Sequence, residues 1–308
     1  MFILLFSYFG HLIIINIDIL SLKSVKIVLT FFLLWITTQF NTQTEDYLAY
    51  FLILSLGILH GSNDIRLFNS MQKKNVKGYR RILITYIGAV IIAFSVFMLI
   101  PRLGLLVFVL ISGYHFGEQH LADKVDSGHY FRSILFTLYG LFIFSMIFYT
   151  HFEDVYVIVQ DISNMVILRE FYFYFMLIMF SSMAILLAIM LRMKILHISV
   201  PLEMAYLLLF YVLFMNSTLL WSFAIYFIVW HSIPSLRDQI LNLYKTVSFR
   251  TIIKYIKDSI LYWLVSIIGI TVLIMLTKDD VRLFNLLFFA FLAAITLPHV
   301  IVLGKMHE

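Results

Sequence analysis

A chain of 308 residues with 62% hydrophobic and only 13% charged residues, at a mean hydropathy of +0.99, is too apolar for a soluble domain and reads as an integral membrane protein. It has no cysteine, which excludes disulfides, thiolate metal sites, iron-sulfur clusters and cysteine nucleophiles. The net charge of +5 raises nucleic acid as a partner, but the basic residues sit in short connections between apolar runs, where membrane orientation accounts for them, and no nucleic-acid binding is expected.

Apolar runs such as 82–100, 171–191 and 283–302 reach the ~20 residues that cross a hydrocarbon core. Four prolines, twelve glycines and long unbroken runs do not suit a membrane barrel, which alternates in short segments. The predicted fold class is therefore all-α, a polytopic transmembrane helical bundle of about 10–11 spans, with residues 1–308 forming one integral-membrane helical domain. In chain order the predicted spans are 3–21, 25–40, 47–60, 82–100, 103–117, 131–150, 171–191, 198–215, 218–232, 259–276 and 283–303. The first holds His11, Asn16 and Asp18 and lacks the basic start of a signal peptide, so it reads as a span or an interfacial helix. Residues 250–258, with lysines opposite Ile252, Ile253, Tyr255 and Ile256, read as an interfacial helix.

Alternate connections divide the basic residues unevenly. One set holds 17 of them, including Lys23 and Lys26, the cluster from Arg66 to Arg81, Lys124, and Arg237 to Lys257; the other holds four, Arg102, Arg169, Lys278 and Arg282. The basic set is expected in the cytoplasm. Against that parity, His60, His115, His231 and His299 each fall toward the cytoplasmic end of a different span, so four imidazoles can converge at one depth.

Each stands in a polar cluster within apolar sequence: His60-Gly61-Ser62-Asn63-Asp64, Tyr114-His115-Phe116-Gly117-Glu118-Gln119-His120, Trp230-His231-Ser232-Ile233-Pro234-Ser235 and Pro298-His299. Ionisable groups in spans are costly and usually functional. A set of neutral imidazoles suits iron, copper or zinc, and one without thiolates suits Fe(II) and oxygen chemistry. The competing reading is four unrelated histidines at helix ends, each reaching water or a headgroup. Asp64, four residues after His60, and Glu118, three after His115, are placed to accept a ring N–H and fix the tautomer if the helices continue. Glu203, inside a span, lines a polar cavity or reaches Lys194 or Arg192; the second is favoured.

These clusters resemble, in order and across most of the chain, the HGxxD, YHFG, WHS and PH segments of the bacterial Brp/Blh family of membrane beta-carotene 15,15'-dioxygenases. The resemblance implies a protein of the bacterial inner membrane that cleaves the central double bond of beta-carotene with O2 at a histidine-bound Fe(II), giving retinal. Carried over residue by residue, His60, His115 and His231 fall on metal ligands of that family. Many members have a further histidine one turn after the WHS histidine, where this chain has Ser235. The fourth position is then open to His299, to His120 or to no protein group, with His299 favoured because its motif also matches.

No catalytic residue beyond the metal site is expected, since oxygen transfer to a carbon-carbon double bond needs neither acid nor nucleophile. The 53 aromatic residues suit a tunnel for a polyene. With the histidines at the cytoplasmic ends, the substrate is expected to lie obliquely or along the inner leaflet, with the outer loops around Glu153 and Asp161 uninvolved. Two alternatives share the same residues: a haem- or metal-handling transporter, and a carotenoid-binding protein of this fold without cleavage activity, the latter suggested by Ser235.

Overall fold

The structure, a computed structural model, describes residues 22–72 and 76–306. The predicted span at 3–21 lies outside them, as do His11, Lys73, Lys74 and His307. Among the described residues there is no strand, only an isolated bridge between Val125 and Leu196.

The chain opens with α1 (Leu22–Thr37) and α2 (Thr42–Leu52), whose first turn is capped by the Asn41 side chain. A π-helical turn (Ile53–Gly57) leads into the short α3 (Ile58–Gly61), and after a break at Ser62 and Asn63 the chain resumes as α4 (Asp64–Gln72). Then come α5 (Val76–Leu99), α6 (Pro101–Leu121), α7 (Phe131–Thr150), α8 (Phe152–Ser163) and α9 (Arg169–Arg192). The last part comprises α10 (Val200–Met215), α11 (Leu219–Ile225), a π-helical segment (Tyr226–Ser232), α12 (Ile233–Tyr244), α13 (Phe249–Thr277) and α14 (Val281–Gly304).

Seven helical stretches among the described residues are long and apolar enough to cross a membrane, and they fit an integral membrane protein. The predicted 131–150 coincides with α7. Helix α6 is 21 residues long but is not among the seven; its second half carries Ser112, His115, Glu118, Gln119 and His120. The buried core centres on α7, α10, α11 and the second π segment, through Phe136, Ile143, Phe210, Phe214, Trp221 and Tyr226. Helices α6 and α7 meet backbone to backbone. A Cβ on Gly117 would stand 1.8 Å from the Phe136 carbonyl oxygen, and one on Gly140 would stand 1.8 Å from that of Gly113. Small residues permit this approach where helices pack in lipid.

Two expectations are corrected here. Residues 250–258 are not a separate interfacial helix but the first turns of the unbroken α13. Tyr255, on its inner side, is 1% exposed and hydrogen-bonded into the bundle, so that face is an interior one. The stretch around Glu153 and Asp161 is not a loop: it is α8, packed on α14, α6 and α7. Asp161 accepts a hydrogen bond from Asn285 at 2.8 Å, which ties α8 to the start of α14.

Candidate metal centre

Four separate elements each deliver one histidine to the same point. His60 comes from α3, His115 from α6, His231 from the second π segment and His299 from α14; all are buried. One nitrogen from each lies within 4.8 Å of the others. The rings form a closed circuit in the order 60, 231, 115, 299. Neighbouring centroids are 4.5 to 5.3 Å apart and neighbouring planes are 75° to 89° apart.

Local structure accounts for the aim of each ring. A π turn shifts the helical register by a residue and is frequent at functional sites; one precedes His60 and another contains His231, and the two pack on each other. The His60 Nδ1–H donates to the Gly57 carbonyl, which leaves Nε2 for the centre. Gly57 is small because the Phe227 ring presses there: a Cβ would meet it at 2.7 Å. Phe227 also stacks on the His231 ring, at 5.6 Å and 14°. His299 follows Pro298, which removes one backbone donor from the interior of α14.

The carboxylates divide differently from expectation. Asp64 does not serve His60. It accepts from Nδ1 of His299, at 2.9 Å to both oxygens, and receives the Tyr86 hydroxyl at 2.8 Å. The break at Ser62 and Asn63 separates Asp64 from the helical turn of His60, and this redirects it. Glu118 stays beside His115, but its oxygen is 3.9 Å from Nδ1, beyond hydrogen-bond length; its other oxygen accepts the Tyr114 hydroxyl at 2.9 Å.

His120 lies outside the circuit. Its Nε2 is 2.7 Å from Glu203, which also receives Lys124 at 2.5 Å, and its ring stacks on Tyr139 at 4.7 Å. Glu203 therefore pairs with His120 and Lys124, not with Lys194 or Arg192. Burial lowers the pKa of the Lys124 ammonium, with the Glu203 carboxylate opposing the shift. Ser235 is fully buried and is not among the converging groups; its hydroxyl accepts from Gln239 at 3.1 Å. Of the remaining histidines, His151 meets the Ser222 hydroxyl at 3.0 Å and His197 meets Asp126 at 2.9 Å on the surface.

The donor set fits a divalent first-row metal, for which imidazole nitrogens are suitable ligands. Nε2 of His299 is buried without a hydrogen-bond partner, while Nδ1 is fixed by Asp64. Burying such an atom unpaired is unfavourable, and coordination would satisfy it.

The four histidines also line a cavity of about 860 Å³ whose other walls are almost wholly apolar. It follows α6 from His115 back to Arg102 and α14 from His299 back to Phe284, and it reaches Val155 and Ser163 of α8. Thirteen residues of α6 correspond to about 20 Å of helix. The cavity thus runs along the helices away from the histidines, with α8 in its wall. The expectation that the segment around Glu153 and Asp161 is uninvolved does not match, because Val155, Ile158, Val159 and Ser163 line the cavity.

An all-helical bundle whose buried four-histidine centre can hold a metal ion, at one end of a long apolar cavity, is the class of protein that fold and site define. The chain belongs to the beta-carotene 15,15'-dioxygenase family, whose model matches residues 51–307 and so includes all four histidines. Searches of curated proteins and of solved structures return no match.

Gln239 and Tyr255, which meet the His60 carbonyl, are functional candidates that the sequence reading missed. Gln239 follows Arg237 and Asp238 in a polar stretch, so nothing in the sequence singled it out, and nothing marked the tyrosine.

Proposed function

We propose that this protein is a non-haem Fe(II) oxygenase that cleaves the central 15,15' double bond of beta-carotene with O2 to give two molecules of retinal. The observation that carries the reading is the convergence of four buried imidazoles on an apolar cavity in a chain of this family. His60, His115, His231 and His299 would hold the metal. Iron held there would lift the spin barrier between ground-state O2 and a closed-shell alkene, with no net electrons drawn from the metal.

The chain's own residues bind and orient. Gly57 and Asp64 fix the tautomers of His60 and His299, so that each presents Nε2 inward. Phe116 and Phe227, packed against His231, keep water from the reacting carbons. Both oxygen atoms of O2 end in the two aldehydes and no proton is moved. That agrees with a cavity whose histidine end holds no acid beyond those already bonded to a ring or a tyrosine.

Beta-carotene is about as long as the hydrocarbon core is thick, so half of it is about 15 Å. The arm along α6 accommodates that half, with the central bond at the histidines. That half stands along the helices on one side of the metal. The metal end faces the cytoplasm, by the bias of the basic connections.

Expression in cells that make beta-carotene, followed by pigment analysis, tests the reading. Retinal, lost in the His60→Ala and His115→Ala variants, is expected. Unchanged beta-carotene with iron bound would leave a carotenoid-binding protein; a shorter or longer apocarotenal would place the cut elsewhere.

A further inference from the structure

The break between α3 and α4 leaves helix-end carbonyls without their usual donors. That of His60 is met by side chains. The Gln239 amide Nε2 donates to it at 2.8 Å, and the Tyr255 hydroxyl lies 3.3 Å away. Gln239 spends its second amide hydrogen on the Ser235 hydroxyl at 3.1 Å, and its Oε1 lies 2.7 Å from the Tyr255 hydroxyl. A phenol has one proton, which goes to this shorter contact. Asn63 then donates to the Tyr255 carbonyl at 3.1 Å. Gln239 and Ser235 are fully buried, and Tyr255 and Asn63 are 1% exposed.

The orientation of the amide is fixed by these partners. Turned over, Gln239 would set its oxygen against the His60 carbonyl and lose both donations inside the bundle. Gln239 also sits on the continuation of the helix that carries His231, the neighbour of His60 in the ring circuit at 5.3 Å. One side chain thus ties the backbone of one candidate ligand to the helix that bears another.

We propose that Gln239, held by Tyr255, is a positioning residue for His60, setting its separation from His231 and hence the geometry of the metal. This rests on the four histidines binding metal, as proposed above. It also gives the Ser235 position a role: in this chain the side chain one turn after His231 lies against the amide that holds His60, and the fourth imidazole comes from α14.

The test uses the full chain in detergent, freed of metal and titrated with Co(II), whose visible ligand-field bands report coordination geometry. Dissociation constant, saturated spectrum and metal-free melting temperature are measured for wild type, His115→Ala, Gln239→Leu and Gln239→Glu. The glutamate keeps the shape but, when ionised, cannot donate to the His60 carbonyl. Both Gln239 variants are expected to bind Co(II) about 10- to 100-fold more weakly, the range typical of groups that orient ligands, and to show altered bands at saturation. Should neither accumulate as folded protein, Tyr255→Phe carries the test, with a few-fold loss and a band change in the same direction. Variants that melt lower but keep the wild-type bands and affinity would overturn the proposal and reduce Gln239 to a packing role. Wild type without ligand-field bands, or His115→Ala indistinguishable from it, would overturn the metal reading itself.

Discussion

Gly117→Ala tests how closely α6 must approach α7 for the centre to form. The new Cβ would lie 1.8 Å from the Phe136 carbonyl oxygen, 2.6 Å from its carbon and 2.9 Å from its Cα, whereas real Cβ atoms essentially never come within 3.0 Å of such neighbours. The obstacle is backbone, so no rotamer change relieves it. The helices must separate locally by roughly 1.2 Å, the difference between 1.8 and 3.0 Å. Overpacking of a well-filled core costs about 1–3 kcal/mol, and a rigid obstacle places this change near ~3 kcal/mol. Residues 115 and 117 lie about 200° apart around α6, so the same displacement pushes His115 toward the other imidazoles. Thermal unfolding in detergent and iron content are the assays. Gly88→Ala provides a control of opposite sign, because nothing lies within 4 Å of its Cβ and alanine is favoured in a helix by about 0.5–1 kcal/mol. Gly117→Ala protein as stable and as metal-replete as wild type would refute the close approach.

Other outcomes are expected from the same geometry. Single alanine replacements at His60, His115, His231 or His299 should each abolish stoichiometric iron, measured by elemental analysis of purified protein. Asp64→Leu removes the acceptor that fixes the His299 tautomer and should weaken metal binding about 10- to 100-fold, read by competition with a chelator. Val109→Trp places a large ring in the cavity wall six residues before His115, about 9 Å along α6; product analysis should show loss of central cleavage with iron retained. His197→Ala breaks only an exposed pair and should cost less than ~0.5 kcal/mol, whereas His151→Ala loses the bond to Ser222 and should cost about 1 kcal/mol in the same unfolding assay.

The four histidines were legible because each stood in a polar cluster at the end of an apolar run, and counting crossings put them at one level. Their partners were less so. Spacing suggested that Asp64 would serve His60, but Ser62 and Asn63 interrupt the helix and turn the carboxylate to α14. His120 shares a helix and a motif with His115 yet lies five residues on, about 140° around α6, and faces Glu203. Helix α8 was missed although Val155, Ile158, Val159 and Ile162 repeat at helical spacing; its acidic flank, Glu153 and Asp154, read as an outer loop. The π turns have no sequence signature, so the register that aims His60 and His231 appears only in three dimensions.

The ring circuit also sets a schedule for the chain's synthesis. Between His60 and His299 lie 239 steps of sequence, and at about 5–20 residues per second the last imidazole emerges roughly 12 to 48 s after the first. During that interval Asp64 waits without the ring that will occupy it, and no partial set can enclose an ion from all sides. If the four histidines hold a metal as proposed, its complete enclosure would be a late event in biogenesis, following the docking of α14.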